Sequence, residues 1–324
     1  MEKEEKTKKK KRLLIIGGSG YLGQHLLQES QKRSDDRWLT AITHHSSSSS
    51  SSSSSSFQLD LQTGQGFDSI SRTFGQPDVV VNCGAISIPR VCELNPAVAM
   101  SVNVPSTLVK WLSSFTQTNT DTTTPLLIHL STDQVYQGTK SFYKEDDETL
   151  PVNVYGKSKV AAEEYISQNC SNFVILRSSI IFGPQTTISP VSKSLPIQWI
   201  DGVLAKGQEA EFFHDEFRSP VYVKDVVNII QILTDRWISD GKRSQLVLNV
   251  GGPNRVSRAQ MAETVAGVSG YNKSFIKPVS ASSIDRGVKS PADISMDISK
   301  LVQTIDFIPT SFEDGVKLTI DTIK

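Results

Sequence analysis

A glycine-rich turn between an apolar strand and a helix limits the folds open to this chain more than any other segment. The run Arg12–Ile16 is apolar and β-branched, which predicts a buried strand. It leads straight into Gly17, Gly20 and Gly23, after which leucines recur at helical spacing. In such a unit the first glycine permits a tight turn, the second admits a pyrophosphate to the backbone, and the third lets the helix pack on the strand. A plain turn would use the same residue type, but the placement favours dinucleotide binding.

The helix after this turn would direct free N–H groups and the positive end of its dipole at the phosphates. We therefore predict that the whole turn binds a cofactor. The predicted residues are Gly17, Gly18, Ser19, Gly20, Tyr21, Leu22 and Gly23.

Strand-like and helix-like segments alternate through the first half of the chain. This alternation predicts an α/β fold with a doubly wound parallel sheet covered by helices on both faces. The predicted strands are Leu13–Ile16, Leu39–Thr43, Asp78–Asn82, Leu126–Ser131 and Asn172–Arg177, and the predicted helices include Ala97–Phe115, Tyr155–Gln168, Asp225–Ser239 and Arg258–Val268.

The pattern becomes Pro- and Ser-rich after Pro184, which predicts a smaller and less regular C-terminal α/β substrate-binding part. We predict a disordered charged tail at 1–11 and a dinucleotide-binding domain at 12–184, to which 219–250 returns. Residues 185–218 and 251–324 would form the substrate-binding part. The serine run Ser46–Ser56 has no packing face, which predicts a disordered surface loop.

Composition narrows the class of protein further. The chain has 324 residues, enough for a full core, and its 34 basic and 34 acidic residues give no indication of a nucleic-acid surface. No segment is long and apolar enough to span a membrane, and the charged N-terminal segment lacks the apolar part of a secretory signal. Three cysteines without a Cys-x-x-Cys pair fit a reduced compartment without a disulfide framework, and we expect no metal site. We expect a soluble cytoplasmic protein, although Lys8–Arg12 also fits a nuclear address.

Tyr155 and Lys159 are four residues apart, so they lie one turn from each other on one helix face. A phenol with a pKa near 10 exchanges protons poorly at neutral pH. A neighbouring ammonium would lower that pKa and make the tyrosine a general acid/base. Alone, the pair is more typical of a solvated helix surface.

With its other motifs, the chain resembles the extended short-chain dehydrogenase/reductase superfamily. Within it the chain is most similar to the dTDP-4-dehydrorhamnose reductase family, which includes a regulatory beta subunit of methionine adenosyltransferase. The resemblance implies a Rossmann fold and an NAD(P) cofactor. The motifs, in chain order, are the glycine turn, Asp60-Leu61, Asn82-Cys83-Gly84-Ala85, Asn103, Ser131 to Tyr136, Tyr155 with Lys159, and Arg218 to Asp225.

The resemblance implies a catalytic triad of Thr132, Tyr155 and Lys159. Tyr155 would protonate the oxygen of a substrate ketone as hydride arrives on its carbon. Lys159 would lower the pKa of the tyrosine and hold the nicotinamide ribose hydroxyls. Thr132 would hydrogen-bond the ketone oxygen and the phenol, although a threonine at a strand end is also a common cap.

The family also implies contacts to the adenosine half of the cofactor. The acidic residue would bond adenine, the loop after the third predicted strand would border the ribose, and a helix asparagine would brace that loop. Turns and caps explain the same residue types, and a salt bridge or cap explains Arg218 and Asp225 equally well. The implied cofactor residues are Asp60, Leu61, Asn82, Gly84, Ala85 and Asn103, together with Tyr155 and Lys159.

Two departures from the family pattern bear on the substrate. Dehydratases of nucleotide sugars carry a glutamate base where this chain has Gln134, which cannot take a proton, so we disfavour dehydration. Family members often place an Arg-Pro near the C-terminal part to serve the nucleotide sugar, whereas this chain has Lys289-Ser-Pro291. Arg286 or Lys289 could supply the charge, but a lysine does not replace a bidentate guanidinium without loss.

The end of the second predicted strand favours NADP(H) over NAD(H). An acidic residue there would bond the ribose 2′-OH and reject a 2′-phosphate. The chain has His44 and His45 followed by serines, with no carboxylate and no arginine clamp.

We therefore expect an NAD(P)H-dependent reductase of a 4-keto sugar nucleotide. One alternative is a non-catalytic dinucleotide-binding subunit of a methionine adenosyltransferase-type enzyme. Another is an epimerase or a reductase of a different ketone. The partners expected are a sugar nucleotide and either a second copy or a partner enzyme, with no nucleic acid and no membrane.

Overall fold

The computed structural model describes residues 10–32, 37–45, 55–118, 124–192, 194–241 and 243–322. Within them, the strands are β1 (Lys11–Ile16), β2 (Trp38–His44), β3 (Ser56–Gln58), β4 (Val79–Asn82), β5 (Leu126–Thr132), β6 (Phe173–Ser178), β7 (Ile181–Phe182), β8 (Ala210–Phe213), β9 (Phe217–Arg218), β10 (Val221–Tyr222), β11 (Gln245–Val250), β12 (Val256–Ser257) and β13 (Ile276–Val279). The helices are α1 (Tyr21–Lys32), α2 (Phe67–Thr73), α3 (Pro89–Leu94), α4 (Pro96–Asn103), α5 (Ser106–Thr118), α6 (Val154–Asn169), α7 (Pro196–Ala205), α8 (Val223–Asp240), α9 (Arg258–Ser269), α10 (Ser299–Ile305) and α11 (Phe312–Ile320).

Seven parallel strands form the central sheet, in the order β11-β6-β5-β4-β1-β2-β3. The strand order reverses direction at β1, between β4 and β2, as in doubly wound folds. One apolar cluster packs α1 and α8 on one face of the sheet, and a second packs α2 and α5 on the other. The predicted doubly wound α/β fold is therefore confirmed.

One predicted helix, Ala97–Phe115, is two helices in the structure. The chain leaves the helical conformation at Val104, where φ is −82° and ψ is 108°. Pro105 explains the break, because a proline disfavours the helical conformation of the preceding residue and offers no N–H. The separate helices α4 and α5 follow.

The strand bounds differ from the predictions mainly at the ends of the sheet. β1 begins at Lys11, inside the predicted tail, of which residues 1–9 lie outside the described part. β3 begins at Ser56, the last residue of the serine run, whose residues 46–54 also lie outside it. Neither β3 nor β11 was predicted. A strand as short as β3 carries little hydrophobic periodicity.

A third apolar cluster lies in the C-terminal part of the chain and packs α7, α9 and α11 together. The pair β8 and β13 borders it. Residues 219–250 behave differently, because α8 packs on the central sheet and β11 pairs with β6. None of the helices described is long and apolar enough to cross a membrane.

Candidate active site

A cleft of about 330 Å³ lies at the carboxyl ends of the central strands, within the range of roughly 300–1,000 Å³ typical of small-molecule sites. Ligands of doubly wound sheets bind at this edge. The lining residues include Tyr21, Leu22, Cys83, Ala85, Leu130, Thr132, Gln134, Tyr155, Lys159 and Ser179. The cleft thus gathers residues from the glycine turn, the loop after β4, the end of β5 and the start of α6.

The glycine turn has the close packing that its sequence predicts. Gly17 has φ of 75°, a conformation that favours glycine. A side chain at Gly23 would place its Cβ 2.3 Å from the Gly17 carbonyl oxygen, so the third glycine lets α1 approach the turn. Thr43 at the end of β2 accepts a hydrogen bond from the Gly17 N–H at 3.2 Å. The turn is therefore anchored to the neighbouring strand.

Helix α1 also holds the segment that begins at Pro184. The Tyr21 hydroxyl donates to the Pro184 carbonyl oxygen at 3.0 Å, and His25 Nε2 lies 3.2 Å from the same oxygen. Gln24 accepts a hydrogen bond from the Ser189 N–H at 3.0 Å. Three side chains of one helix thereby bind the C-terminal part to the glycine turn.

The loop after β4 is packed directly on that turn. Asn82 accepts a hydrogen bond from the Gly84 N–H at 3.1 Å. A Cβ added at Gly17 would lie 3.0 Å from Gly84 N, and a Cβ added at Gly84 would lie 2.8 Å from the Leu61 side chain. Ala85 follows and lines the cleft. These four predicted cofactor residues are brought together with the glycine turn.

Asn103 joins this loop to α6. Its side chain accepts a hydrogen bond from the Ile86 N–H at 2.7 Å and donates to the Ser158 hydroxyl at 2.9 Å. Asp60 instead accepts from the Gln62 N–H at 2.8 Å and from the Thr63 hydroxyl at 2.9 Å. Burial raises the pKa of Asp60, but these hydrogen bonds outweigh it and hold the pKa below its usual value. Both Asp60 oxygens therefore serve the turn, the alternative recognised from sequence.

Thr132 and Tyr155 both line the cleft. Thr132 also accepts from the Gln134 N–H at 3.3 Å, so it caps a short 3₁₀ turn as well. Asn153 caps α6 by accepting from the Gly156 N–H at 2.9 Å, which sets where Tyr155 leaves the helix. Two caps therefore position the threonine and the phenol.

The expected effect of Lys159 on Tyr155 is wrong for this structure. Burial raises the pKa of Tyr155 above its ordinary value, and the opposing effect of Thr132 does not offset it. The Lys159 amine turns toward β5, where it donates to the Leu130 carbonyl oxygen at 2.7 Å and lies 3.0 Å from His129 Nε2. Its own pKa is lowered to about 8 because it is buried. Shared position on one helix face did not determine where each polar group points.

His129 is the site residue that we did not predict. It is fully buried in β5, between Lys159 and the Asn82 side chain, whose nitrogen lies 3.1 Å from His129 Nδ1. A polar residue within the apolar run Leu126–Leu130 was a signal in the sequence, because a buried histidine needs partners.

The two remaining motif residues are structural. The Arg218 guanidinium is buried and donates to the Pro291 carbonyl oxygen at 2.9 Å. Asp225 accepts from the Thr310 N–H at 2.7 Å. These contacts anchor loops of the C-terminal part.

The charged residues considered for the nucleotide line a second cavity beside the cleft. Arg286 forms an ion pair with the buried Glu216. Its guanidinium carbon also lies 4.7 Å from the centre of the Phe213 ring. The Glu216 carboxylate also lies 3.9 Å from Arg218 and 4.0 Å from Arg258, so three guanidiniums share it. Lys289 is exposed at the same cavity. Among the described residues, no group of three or more histidine, cysteine or acidic side chains could hold a metal ion.

Residues 11–324 match the RmlD substrate binding domain family. The chain belongs to this family. Among family relatives, methionine adenosyltransferase 2 subunit beta of Pongo abelii is 28% identical over 244 residues, which cover 75% of this chain and 69% of the relative. The probable low-salt glycan biosynthesis reductase Agl14 of Haloferax volcanii is 28% identical over 242 residues, which cover 74% of this chain and 75% of the relative.

Solved structures share the fold over nearly the whole chain. The dTDP-4-dehydrorhamnose reductase of Bacillus anthracis in complex with NADP has a TM-score of 0.77 at 18% identity and covers 97% of this chain and 100% of that one. A hypothetical dTDP-4-dehydrorhamnose reductase of Sulfolobus tokodaii has a TM-score of 0.72 at 25% identity and covers 94% and 98%. The resemblance inferred from motifs is confirmed as family membership and as fold.

Proposed function

We propose that this chain is an NAD(P)H-dependent reductase of a 4-keto sugar nucleotide, similar to dTDP-4-dehydrorhamnose reductase. The observation that carries the proposal is that Thr132 and Tyr155 line the same cleft, which borders the glycine turn. The glycine turn and the Gly84 loop pack on each other, because a side chain at Gly17 would contact the loop backbone. They lie at the carboxyl ends of the strands, where doubly wound sheets bind dinucleotides. Relatives in the family include a probable reductase.

The residues of the cleft fit reduction of a ketone. A bound nicotinamide would supply the hydride. Tyr155 would donate its proton to the developing alkoxide, and its raised pKa keeps the phenol in the protonated form that this step requires. Thr132 would orient the ketone oxygen toward the phenol. Gln134, whose side-chain oxygen accepts from Asn153 at 2.9 Å, offers no base for elimination of water.

The test measures the oxidation of NADPH in the presence of each of a panel of 4-keto sugar nucleotides, with absorbance as the readout. We expect the unmodified chain to turn over at least one of them, and Tyr155→Phe to lower kcat by about 10²- to 10⁴-fold, the usual contribution of a general acid. Tyr165→Phe, on the same helix but partly exposed and outside the cleft, is the matched control and should retain turnover. Full activity in Tyr155→Phe would contradict the mechanism.

A second candidate is a regulatory dinucleotide-binding subunit. Two observations favour it: the relationship to methionine adenosyltransferase 2 subunit beta, and the position of the Lys159 amine, which contacts His129 and Leu130. It would be supported by co-purification with a methionine adenosyltransferase catalytic subunit, together with no turnover of any keto sugar. NADPH binding would then persist in Tyr155→Phe without a catalytic consequence.

A further inference from the structure

Four polar groups form a hydrogen-bonded row beneath the cleft. The Gly84 N–H donates to Asn82 Oδ1 at 3.1 Å. A backbone N–H requires an acceptor, so this contact determines which end of the Asn82 amide faces the loop. The amide nitrogen therefore faces His129 Nδ1, 3.1 Å away. Because an NH₂ group donates, Nδ1 must present its lone pair.

The state of Nε2, on the other side of the His129 ring, follows from that of Nδ1. A neutral imidazole carries one N–H and one lone pair, so an accepting Nδ1 leaves the hydrogen on Nε2. Nε2 lies 3.0 Å from the Lys159 amine. An ammonium has no lone pair to accept that hydrogen, whereas a neutral amine has one. The amine can still donate to the Leu130 carbonyl oxygen at 2.7 Å.

We propose that Lys159 is an uncharged amine in this arrangement, and that His129 couples its protonation to the hydrogen bond that anchors Gly84. His129 is then a positioning residue that acts through Lys159 and Asn82. The direction of every donor in the row supports this assignment.

Protonation of Lys159 would reverse the row. The ammonium would need His129 Nε2 as an acceptor, which moves the ring hydrogen to Nδ1. Asn82 would then have to turn its oxygen to His129 and its NH₂ group to the Gly84 N–H, where two donors would face each other. A charged Lys159 and an anchored Gly84 therefore exclude each other. Because Gly84 packs on the glycine turn, the coupling reaches the predicted dinucleotide site.

The groups around Lys159 determine the pH at which it gains a proton and the hydrogen bonds of the row change direction. Lys159 and His129 are 1% and 0% exposed, and burial lowers the pKa of both. Glu163, one turn along α6, and Cys83, in the loop after β4, act on Lys159 in the opposite sense, and the net pKa is about 8. Tyr155 faces the cleft from the same helix. The row as described is thus expected above about pH 8.

The coupling is tested on the cofactor-free chain by ¹⁵N NMR of labelled histidine and lysine. We expect the Lys159 amine to titrate near pH 8, at least about one unit below the ordinary lysine value near 10.4. The His129 ring should change from the Nδ1–H to the Nε2–H form over the same pH interval. A Lys159 amine that titrates with the other lysines, or a ring that keeps one form throughout, would overturn the proposal.

Asn82→Asp is the sharpest variant, because a carboxylate of the same size accepts from both the Gly84 N–H and a His129 Nδ1–H. We expect it to hold the ring in the Nδ1–H form and to raise the Lys159 titration by about one unit or more. Asn172→Asp, at a buried asparagine immediately before β6, is the matched control and should change neither. If Asn82→Asp does not fold, the titration of the unmodified chain decides. No substrate is present, so failure to reduce keto sugars would sink the proposed function and leave this coupling intact.

Discussion

The buried face of α6 continues beyond Tyr155 and Lys159 to Glu163. Tyr155, Lys159 and Glu163 recur every four residues and all are buried. Glu163 accepts from the Arg177 guanidinium at 2.8 Å and from the Ser131 hydroxyl at 2.5 Å. One face of the helix thus carries the two residues proposed for the reaction at its start. Further along it carries an ion pair that connects the helix to β5 and β6.

Removing one member of this ion pair should be costly, because the other charge stays buried. We expect Glu163→Met to lower the free energy of unfolding by about 3–5 kcal/mol, measured by urea denaturation. Glu163→Met combined with Arg177→Met should recover part of the loss. Glu209→Met, in an exposed pair with Lys277, is the control and should change little. A single variant as stable as the unmodified chain would show that Arg177 finds another partner or water.

His25 should make stability depend on acid pH. Burial lowers its pKa from 6.5 to about 4, so between these values the unfolded chain binds a proton that the folded chain does not. This contribution to stability is present above pH 6.5 and is lost as pH falls toward 4. His25→Gln should therefore lose less thermal stability over that interval. His45→Gln, at an exposed histidine, should match the unmodified chain, and equal acid sensitivity in all three would reject the assignment.

At the scale of elements, the unit β1–turn–α1 depends on space as much as on backbone conformation. Gly23 lies in the first turn of α1, where its neighbour is the backbone of the glycine turn. Gly202 lies within α7 with no atom within 4 Å of an added Cβ. Gly23 therefore has no room for a side chain, whereas Gly202 has, and the sequence around each glycine does not reveal this difference.

Replacing these two glycines by alanine should change the free energy of unfolding in opposite directions. Gly23→Ala would place its Cβ 2.3 Å from the Gly17 carbonyl oxygen, so the backbone must shift, and we expect a loss of about 1–3 kcal/mol. Gly202→Ala should gain about 1 kcal/mol from helix propensity. Urea denaturation of both variants measures the difference. Equal effects would show that the turn is looser than its contacts indicate.

At the scale of the molecule, the C-terminal part is connected to the central sheet by hydrogen bonds and by strand pairing. Tyr21, Gln24 and His25 of α1 hold the segment from Pro184 to Ser189, and the return of β11 to β6 adds a second connection. The cleft therefore lies where two parts of the chain meet, which is a common place for ligand sites.

A dinucleotide that binds at this junction should stabilise the whole chain. A ligand at 100 times its dissociation constant adds about 2.7 kcal/mol to the free energy of unfolding. We expect NADPH to raise the thermal midpoint more than NADH at equal concentration, because the end of β2 carries His44 and His45 and no carboxylate. Calorimetric titration gives both dissociation constants. Tighter binding of NADH would overturn the predicted preference.

Local patterns were sufficient for the architecture and for most of the cleft. Five sheet strands were predicted to within two residues at each end, because buried parallel strands appear as continuous apolar runs. The glycine turn and the helix carrying Tyr155 were found for similar reasons: each depends on neighbours in sequence. The break at Pro105 was also visible locally, and overlooking the proline joined two helices into one.

What the sequence alone determined is the order of strands and helices and the set of polar residues at one edge of the sheet. Only the tertiary structure decided where those polar groups point. Lys159 turns to His129, which comes from another strand, and Asp60 turns back to its own loop. Burial then raises the pKa of Tyr155 and lowers that of Lys159. Hydrogen-bond direction and desolvation depend on atoms distant in sequence, so no spacing rule contains them.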